Sequence, residues 1–340
     1  MKKSAIALAV AGLVAAPLAL ADVQVSGQLQ TELVNYSKAE LGGLKGLHMT
    51  DGGMGGNVDG GNFGALAFTA TEDLGDGLKA LARYSFNVST QDGDTRGFST
   101  RDAYVGLAGD WGAVLGGRMN TPYKSSTIGW DPFLSTFMQA RGNAGVSGGP
   151  MHGAETSNAL AYAGNFGGVK VVAAAVIAEN AKATDPNKAS GKHAYSFSVN
   201  APIGPVELAV AYIDYNKLAD GVTKLGNAVK VGAKWTAGDF SLAGQVERLS
   251  KDLTGTNKSG NIAYLTGSYG IGNNTLSLSL GSEDKDVTGT GKRSQYVAVG
   301  GNHAFSKNTS AYAGYRGTQY KGTGWKAREN AFGAGLRVKF

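Results

Sequence analysis

The side chains able to do covalent chemistry in this sequence are few and scattered. There is no Cys, and the four His are His48, His152, His193 and His303. No two of them stand at a metal-ligand spacing. No G-x-S-x-G turn presents a Ser nucleophile. Gly191-Lys192 and Gly291-Lys292 lack both the Ser/Thr and the upstream Gly of a phosphate-binding loop. The stretch DGGMGGNVDGG at 51–61 resembles one copy of a Gly-Gly-x-Gly-x-Asp calcium repeat, but that fold needs stacked copies, so the stretch reads as loop. No cofactor is expected, and no enzyme. What remains is fixed charge set among apolar residues. Arg83 alternates with Ala82, Tyr84 and Phe86, and Arg316 with Tyr315. The chemistry open to such residues is noncovalent: attraction and orientation of polar or charged solutes.

These charges need elements to hold them, and the pattern of those elements is β. Gly accounts for 53 of 340 residues, and charged residues for 17%, below the quarter usual in a soluble domain. In the last twelve residues, ENAFGAGLRVKF, one parity holds Phe332, Ala334, Leu336, Val338 and Phe340. The other holds Gly333, Gly335, Arg337 and Lys339. A strand sends alternate side chains to opposite faces, so one face here is apolar and the other small or cationic. Val23, Val25, Leu29 and Leu33 oppose Gln24, Ser26, Gln28, Gln30 and Glu32 in the same way. One face wants a dry partner and the other wants water, and a membrane barrel supplies both.

The connections follow a rule. Tight turns (EDLGDG at 72–77, GDWG at 109–112, and others near 167, 204, 238, 272 and 307) alternate with longer loops. The longer loops are expected at 38–61, 179–191, 217–226, 251–260, 283–292 and 321–328. Counting segments predicts a 16-stranded antiparallel transmembrane β-barrel, all-β, over 22–340. An even count lets the last strand pair with the first, and lipid requires that closure. Trp111, Trp235, Tyr212, Tyr269 and Tyr320 fall near strand ends, where interfacial girdles sit. One connection, 121–155, is long and carries Trp130, Phe133, Leu134, Phe137 and Met138. It is expected to fold inward, pack on the inner wall and narrow the lumen. At the N-terminus, Lys2-Lys3, an apolar run from Ala5 to Ala16, and Ala19-Leu20-Ala21 predict a secretory signal peptide over 1–21. Removing its two Lys takes the net charge from +6 to +4. For an exported chain this basic balance points to anionic lipid headgroups or anionic solutes, not to nucleic acid.

Two dense blocks resemble a known family. TEDLGDGLKALARYSF and RDAYVGLAGDWGAVLGGRMNTP, within 63–123, and HAFSKNTSAYAGY with GAGLRVKF near the end, are similar to the general (non-specific) porins of Gram-negative outer membranes. These are the trimeric kind of Neisseria and other β- and γ-proteobacteria. From about 178 to 296 only the strand rhythm carries over. The resemblance implies a homotrimer in the outer membrane, in contact with lipid and lipopolysaccharide. It implies a third external loop in the pore, which is 121–155, and passive diffusion of ions and small hydrophilic solutes. Gly335, Val338 and Phe340 resemble the signal read by the barrel-assembly machinery; Gly333 departs from it, where a polar residue is usual.

Family pores set basic wall residues against acids on the inward loop, which implies a constriction of Arg83, Arg118 and Asp131. Parity alone places Arg83 inside, opposite Tyr84 and Phe86. Arg118 occupies the family's Gly-Arg position. Tyr104, Lys124, Arg141 and Arg316 are further lumen-facing candidates. Lys124 and Arg141 on a loop with few acids lean the expectation toward a weak anion preference. The alternative is a substrate-specific outer-membrane channel that binds sugar or phosphate. An exported adhesin or solenoid would show uniform repeats, and these are absent.

Overall fold

The computed structural model describes residues 22–37, 45–52, 64–90, 99–152, 155–177, 193–215, 226–251, 258–284, 293–322 and 325–340. The expected signal peptide lies outside them, as do residues 53–61 of the Gly-rich stretch and most of the longer connections. Seventeen strand segments form one sheet. They are β1 (Asp22–Tyr36), β2 (Gly46–Thr50), β3 (Gly64–Gly75), β4 (Leu78–Val88), β5 (Ser99–Gly109), β6 (Gly112–Met119), β7 (Thr156–Phe166) and β8 (Val169–Val176). After them come β9 (Ala194–Ile203), β10 (Val206–Asp214), β11 (Asn227–Ala237), β12 (Phe240–Leu249) and β13 (Gly260–Ile271). The last four are β14 (Asn274–Glu283), β15 (Arg293–Ala304), β16 (Thr309–Gly322) and β17 (Trp325–Lys339).

The sheet closes. β1 pairs antiparallel with β17, from Gln28 opposite Lys339 to Tyr36 opposite Ala331. On its other side β1 meets two partners in turn: β2, with Glu32 opposite Thr50, and β3, with Gln28 opposite Ala65. β2 and β3 are therefore two pieces of one interrupted strand, and the barrel has sixteen strands. At the interruption, side chains replace the ladder. The Gln30 carbonyl accepts from Thr90 Oγ1 at 2.7 Å, and the Gln30 amide donates to the Asp51 carbonyl at 2.8 Å. Buried backbone groups need such partners wherever a neighbouring strand leaves. Two expected loops are corrected here. The 38–61 loop contains β2, and in place of a loop at 321–328 the strands run on, with Lys321 opposite Lys326 and Gly322 opposite Trp325.

Period-two alternation sets the two faces. In β14, Leu276, Leu278 and Leu280 are exposed, and Ser277 and Ser279 between them are buried. β11 repeats this with Val229 and Val231 exposed and Lys230 buried. Over a closed barrel the exposed apolar set forms the outside, an area far beyond the patches a monomeric soluble protein leaves in water. Trp111, Phe166, Phe240, Tyr269, Phe305 and Phe340 are exposed at the short-turn end, where an aromatic girdle sits. Tyr320, expected in an interfacial girdle, instead shares the inner face with its partners Ser294 and Ala327, both buried. The first short turn needs left-handed backbone at three successive residues, Gly75, Asp76 and Gly77, and two of the three are Gly.

Candidate functional site

The segment from Asn120 to Glu155 is built to hold a fixed shape. Thr121 caps a one-turn helix, Pro122–Ser125, by accepting from the Lys124 N–H at 3.1 Å. Beyond it the segment hydrogen-bonds to inner-face side chains around more than half of the ring. The Tyr123 N–H donates to Ser196 Oγ of β9, and the Tyr123 hydroxyl to Glu247 of β12 at 2.8 Å. The Phe137 N–H donates to Glu32 of β1 at 3.0 Å. The Met138 carbonyl accepts from the Tyr296 hydroxyl of β15. Arg337 of β17 donates Nη2 to the Leu134 and Ser135 carbonyls at 3.2 and 3.0 Å. Apolar packing seconds this. Phe133, Phe137, Met138, Ala140 and Val146 cluster with Tyr264, Tyr296 and Tyr312. Gly232, Gly300 and Gly314 lack the Cβ that would strike Trp130, Phe133 and Met138.

At the centre of one contact is a buried polar chain. Lys230 Nζ lies 3.0 Å from His152 Nε2, and His152 Nδ1 lies 2.7 Å from Ser147 Oγ. Ser147 Oγ donates to Glu247 at 2.5 Å. With Lys230 as an ammonium, which can only donate, Nε2 accepts and the imidazole proton sits on Nδ1. Burial first, then the cations Lys230, Arg141 and Lys124, push the His152 pKa well below its usual value.

The two ends of the segment meet in a cationic cluster. Glu155, just before β7, stands 3.5 Å from Lys124, 3.7 Å from Arg101 and 3.9 Å from Arg118. Three cations around one carboxylate leave two positive charges in excess. Burial alone would raise the Glu155 pKa; Lys124, Arg101 and Arg118 outweigh it and hold the group ionised below the ordinary carboxylate range. Lys124 is pushed down to about 8, by burial first, with Glu155 opposing and Arg141 and Arg101 adding.

A description of Gram-negative porins matches this chain over residues 5–323. The chain belongs to the Gram-negative porin family. Its place is the outer membrane. It is 33% identical over 174 residues to outer membrane porin protein 32 of Delftia acidovorans, covering 49% of this chain and 47% of that one. It is 34% identical over 131 residues to the major outer membrane protein P.IB of Neisseria gonorrhoeae, covering 37% and 34%. The porin thus aligns with less than half the length of each of these relatives. Its fold is similar to that of an anion-selective porin from Comamonas acidovorans, with a TM-score of 0.75 at 22% identity, over 94% of this chain and 100% of that one. OmpT of Vibrio cholerae in its trimer form gives 0.65 at 16% identity, over 94% and 99%.

Within this porin the residues expected from sequence divide sharply. Asp131 is the clearest correction. It is buried, accepts from the Phe133 and Ala140 N–H groups at 2.9 and 2.7 Å and lies 3.2 Å from the Tyr264 hydroxyl. It shapes the segment instead of facing a basic wall. Burial comes first in raising its pKa, against those hydrogen bonds. Arg316 keeps the inner-face parity expected, opposite buried Ala298 and Ala331, but not access to water: it is fully buried, paired with Glu329, and donates to Asn143 Oδ1 at 2.6 Å. Arg141 is buried and donates to the His152 carbonyl at 2.7 Å, and Lys124 is buried beside Glu155. Arg83 keeps solvent contact and lies opposite Tyr104 in register. Its Nε donates to Asp102 at 3.3 Å, so a counter-ion offsets its charge. Arg118 is a further correction: it lies opposite Ala103, on the outward parity of exposed Val105 and Val114, not on the lumen parity expected, and donates to the Thr100 carbonyl and to Ser157 Oγ.

Arg101 and Asp102 were missed because the register shifts between Tyr84 and Phe86, where one residue of β4 opposes two of β5. That bulge breaks the alternation of two consecutive side chains: Arg101 reaches Glu155, and Asp102 reaches Arg83 and Ser85 on the inner face. Strict alternation assigns them to opposite faces. Arg337 was legible as part of a cationic strand face, but no sequence signal tied it to the segment. Gly335 leaves room for the Tyr312 ring, while Val338 and Phe340 are exposed on the outer face.

Proposed function

We propose that this porin is a water-filled channel for passive diffusion of ions and small hydrophilic solutes, with a preference for anions. The observation that carries the reading is the pair of excess positive charges around Glu155, at the root of the 120–155 segment. The residues of 125–134 that keep solvent contact are Ser125, Ile128, Gly129, Trp130, Pro132 and Leu134, and none is charged. The segment is proposed as the constriction, with a cationic root and a neutral edge, so that selectivity comes from net charge near the pore and not from a transverse field ending on Asp131. Arg83, Asp102 and Tyr104, on β4 and β5, are proposed as wall residues of the same channel. The anion selectivity of the Comamonas acidovorans porin, whose fold this chain shares, supports the same direction.

A homotrimer is proposed on the family membership and on the trimer form of the Vibrio cholerae relative. Cleavage after Ala21, contact with lipopolysaccharide and recognition of Gly335, Val338 and Phe340 by the assembly machinery are proposed on the resemblance of those residues to the family's pattern. The deciding test is planar-bilayer conductance with the reversal potential in a potassium chloride gradient. Steps in threes and a reversal potential on the anion side are expected, with Arg101→Glu moving it toward cations. A cation-side reversal potential in the unaltered protein sinks the anion preference, and a folded barrel without conductance sinks the channel.

A further inference from the structure

Between the 120–155 segment and the inner face of β14–β17 lies a cavity of about 340 Å³, near the lower end of small-molecule sites. One side is apolar, made by Pro132, Phe133 and Met138. The other is polar and cationic, made by Asn302, Ser310, Arg337 and Lys339, with Thr275 and Ser277 beside them. No Asp or Glu lines it. The nearby acid is Glu32, which is buried and engaged by the Thr50 and Tyr312 hydroxyls and the Phe137 N–H.

The donors facing this cavity are not used up. Arg337 commits Nε to Gln30 at 2.8 Å and Nη2 to the Leu134 and Ser135 carbonyls, and its charge also acts on the Tyr312 hydroxyl and on Glu32, so it stands at the cavity as a fixed cation. The Lys339 ammonium, the Asn302 amide and the Ser310 hydroxyl have no partner among the described residues. Arg337 is also held in place over the Tyr312 ring, 5.5 Å from its centroid. A wall of unpaired donors with excess positive charge, set across from an apolar bed of ring and thioether, matches a ligand with one anionic head and a compact apolar body. Chloride leaves the apolar bed empty, and a sugar leaves the charges unmatched.

We propose that this cavity is a binding subsite for small amphiphilic organic anions, such as ring-bearing monocarboxylates. The carboxylate takes Lys339 and the Asn302 amide beside the Arg337 guanidinium, and the ring lies on Phe133, Met138 and Pro132. The proposal rests on the channel reading and names a solute class for it. Occupancy is brief, since a site that passes solute must also release it.

The test is single-channel recording of the reconstituted protein in chloride, with benzoate, acetate or benzylammonium added in turn. Benzoate is expected to interrupt the current in resolved events, with acetate and benzylammonium at least about tenfold less effective. Asn302→Asp, which places a carboxylate in the cavity, and Lys339→Gln are each expected to cut the benzoate event frequency about tenfold. Because Lys339 sits beside the terminal residue, the Asn302 variant keeps the test open if Lys339→Gln fails to assemble. Benzoate events unchanged in Asn302→Asp, or acetate or benzylammonium equal to benzoate, overturn the subsite. So does a conducting protein that benzoate never interrupts. A folded protein with no conductance fails at the earlier step, the channel itself.

Discussion

At the scale of single residues, the proposed anion preference makes Lys124 the expected link between pH and selectivity. This lysine is charged at pH 7 and loses its proton near 8. As the pH rises from 7 to 9 the cluster around Glu155 falls from two excess positive charges to one, so the reversal potential is expected to move away from the anion limit. Lys124→Arg keeps its charge over this range and should give a flat profile. Stability moves the other way. The unfolded lysine stays protonated to about 10.4, so the folded state binds fewer protons between about pH 8 and that value. The group's contribution to stability therefore rises across that window and is flat below it. Acidification acts through Glu155. Its stabilising effect is complete above the ordinary carboxylate pKa and is lost as the pH falls through its own depressed value. None of this was legible in a charge count, because Lys124, Arg141, Asp131 and Arg316 are all buried. A charged residue on a loop or an inner face reads as solvated, and its burial depends on how the segment lies against distant strands.

Among elements, the contact between the 120–155 segment and β11–β12 is the most heavily bonded. Glu247 accepts from the Tyr123 hydroxyl, from Ser147 through both its N–H and its hydroxyl, and from Gln245. Glu247→Ala leaves these donors buried and removes the charge that offsets Lys230. A cost of about 3–5 kcal/mol is expected, read from urea unfolding in lipid vesicles. Glu247→Gln should cost less, since the shape survives. His152 adds a pH term. Its pKa is depressed, so both states are neutral at high pH, and stability falls only as the pH drops below the ordinary imidazole value, where the unfolded chain protonates first. The slope is at most about 1.4 kcal/mol per pH unit, and His152→Asn should flatten it. The strands themselves were readable from alternation, as β14 and β17 show. The β5 bulge was not: it comes from pairing with β4, and it alone decides that Arg101 and Asp102 are neighbours in the site.

At the scale of the whole molecule, closure rests on a seam that includes the last residue. Gly27 and Phe340 exchange backbone hydrogen bonds at 2.8 and 3.0 Å, and the Phe340 ring lies where a Cβ on Gly27 would be. Gly27→Val meets both that ring and the Ala65 carbonyl, so a loss of about 1–3 kcal/mol is expected. It is measured as a lower temperature for the mobility shift between unheated and heated protein on a gel. The barrel was legible because lipid and water each write one parity of a strand. The interruption between β2 and β3 was not, since five residues between two Gly-rich stretches read as loop. The many bonds between the 120–155 segment and the wall have an electrical consequence. A narrow part that wags modulates current and adds flicker above the thermal level. One stitched to strands on most of the circumference should give a quiet open state, with excess noise appearing only when a tie such as Glu247 or Arg337 is cut.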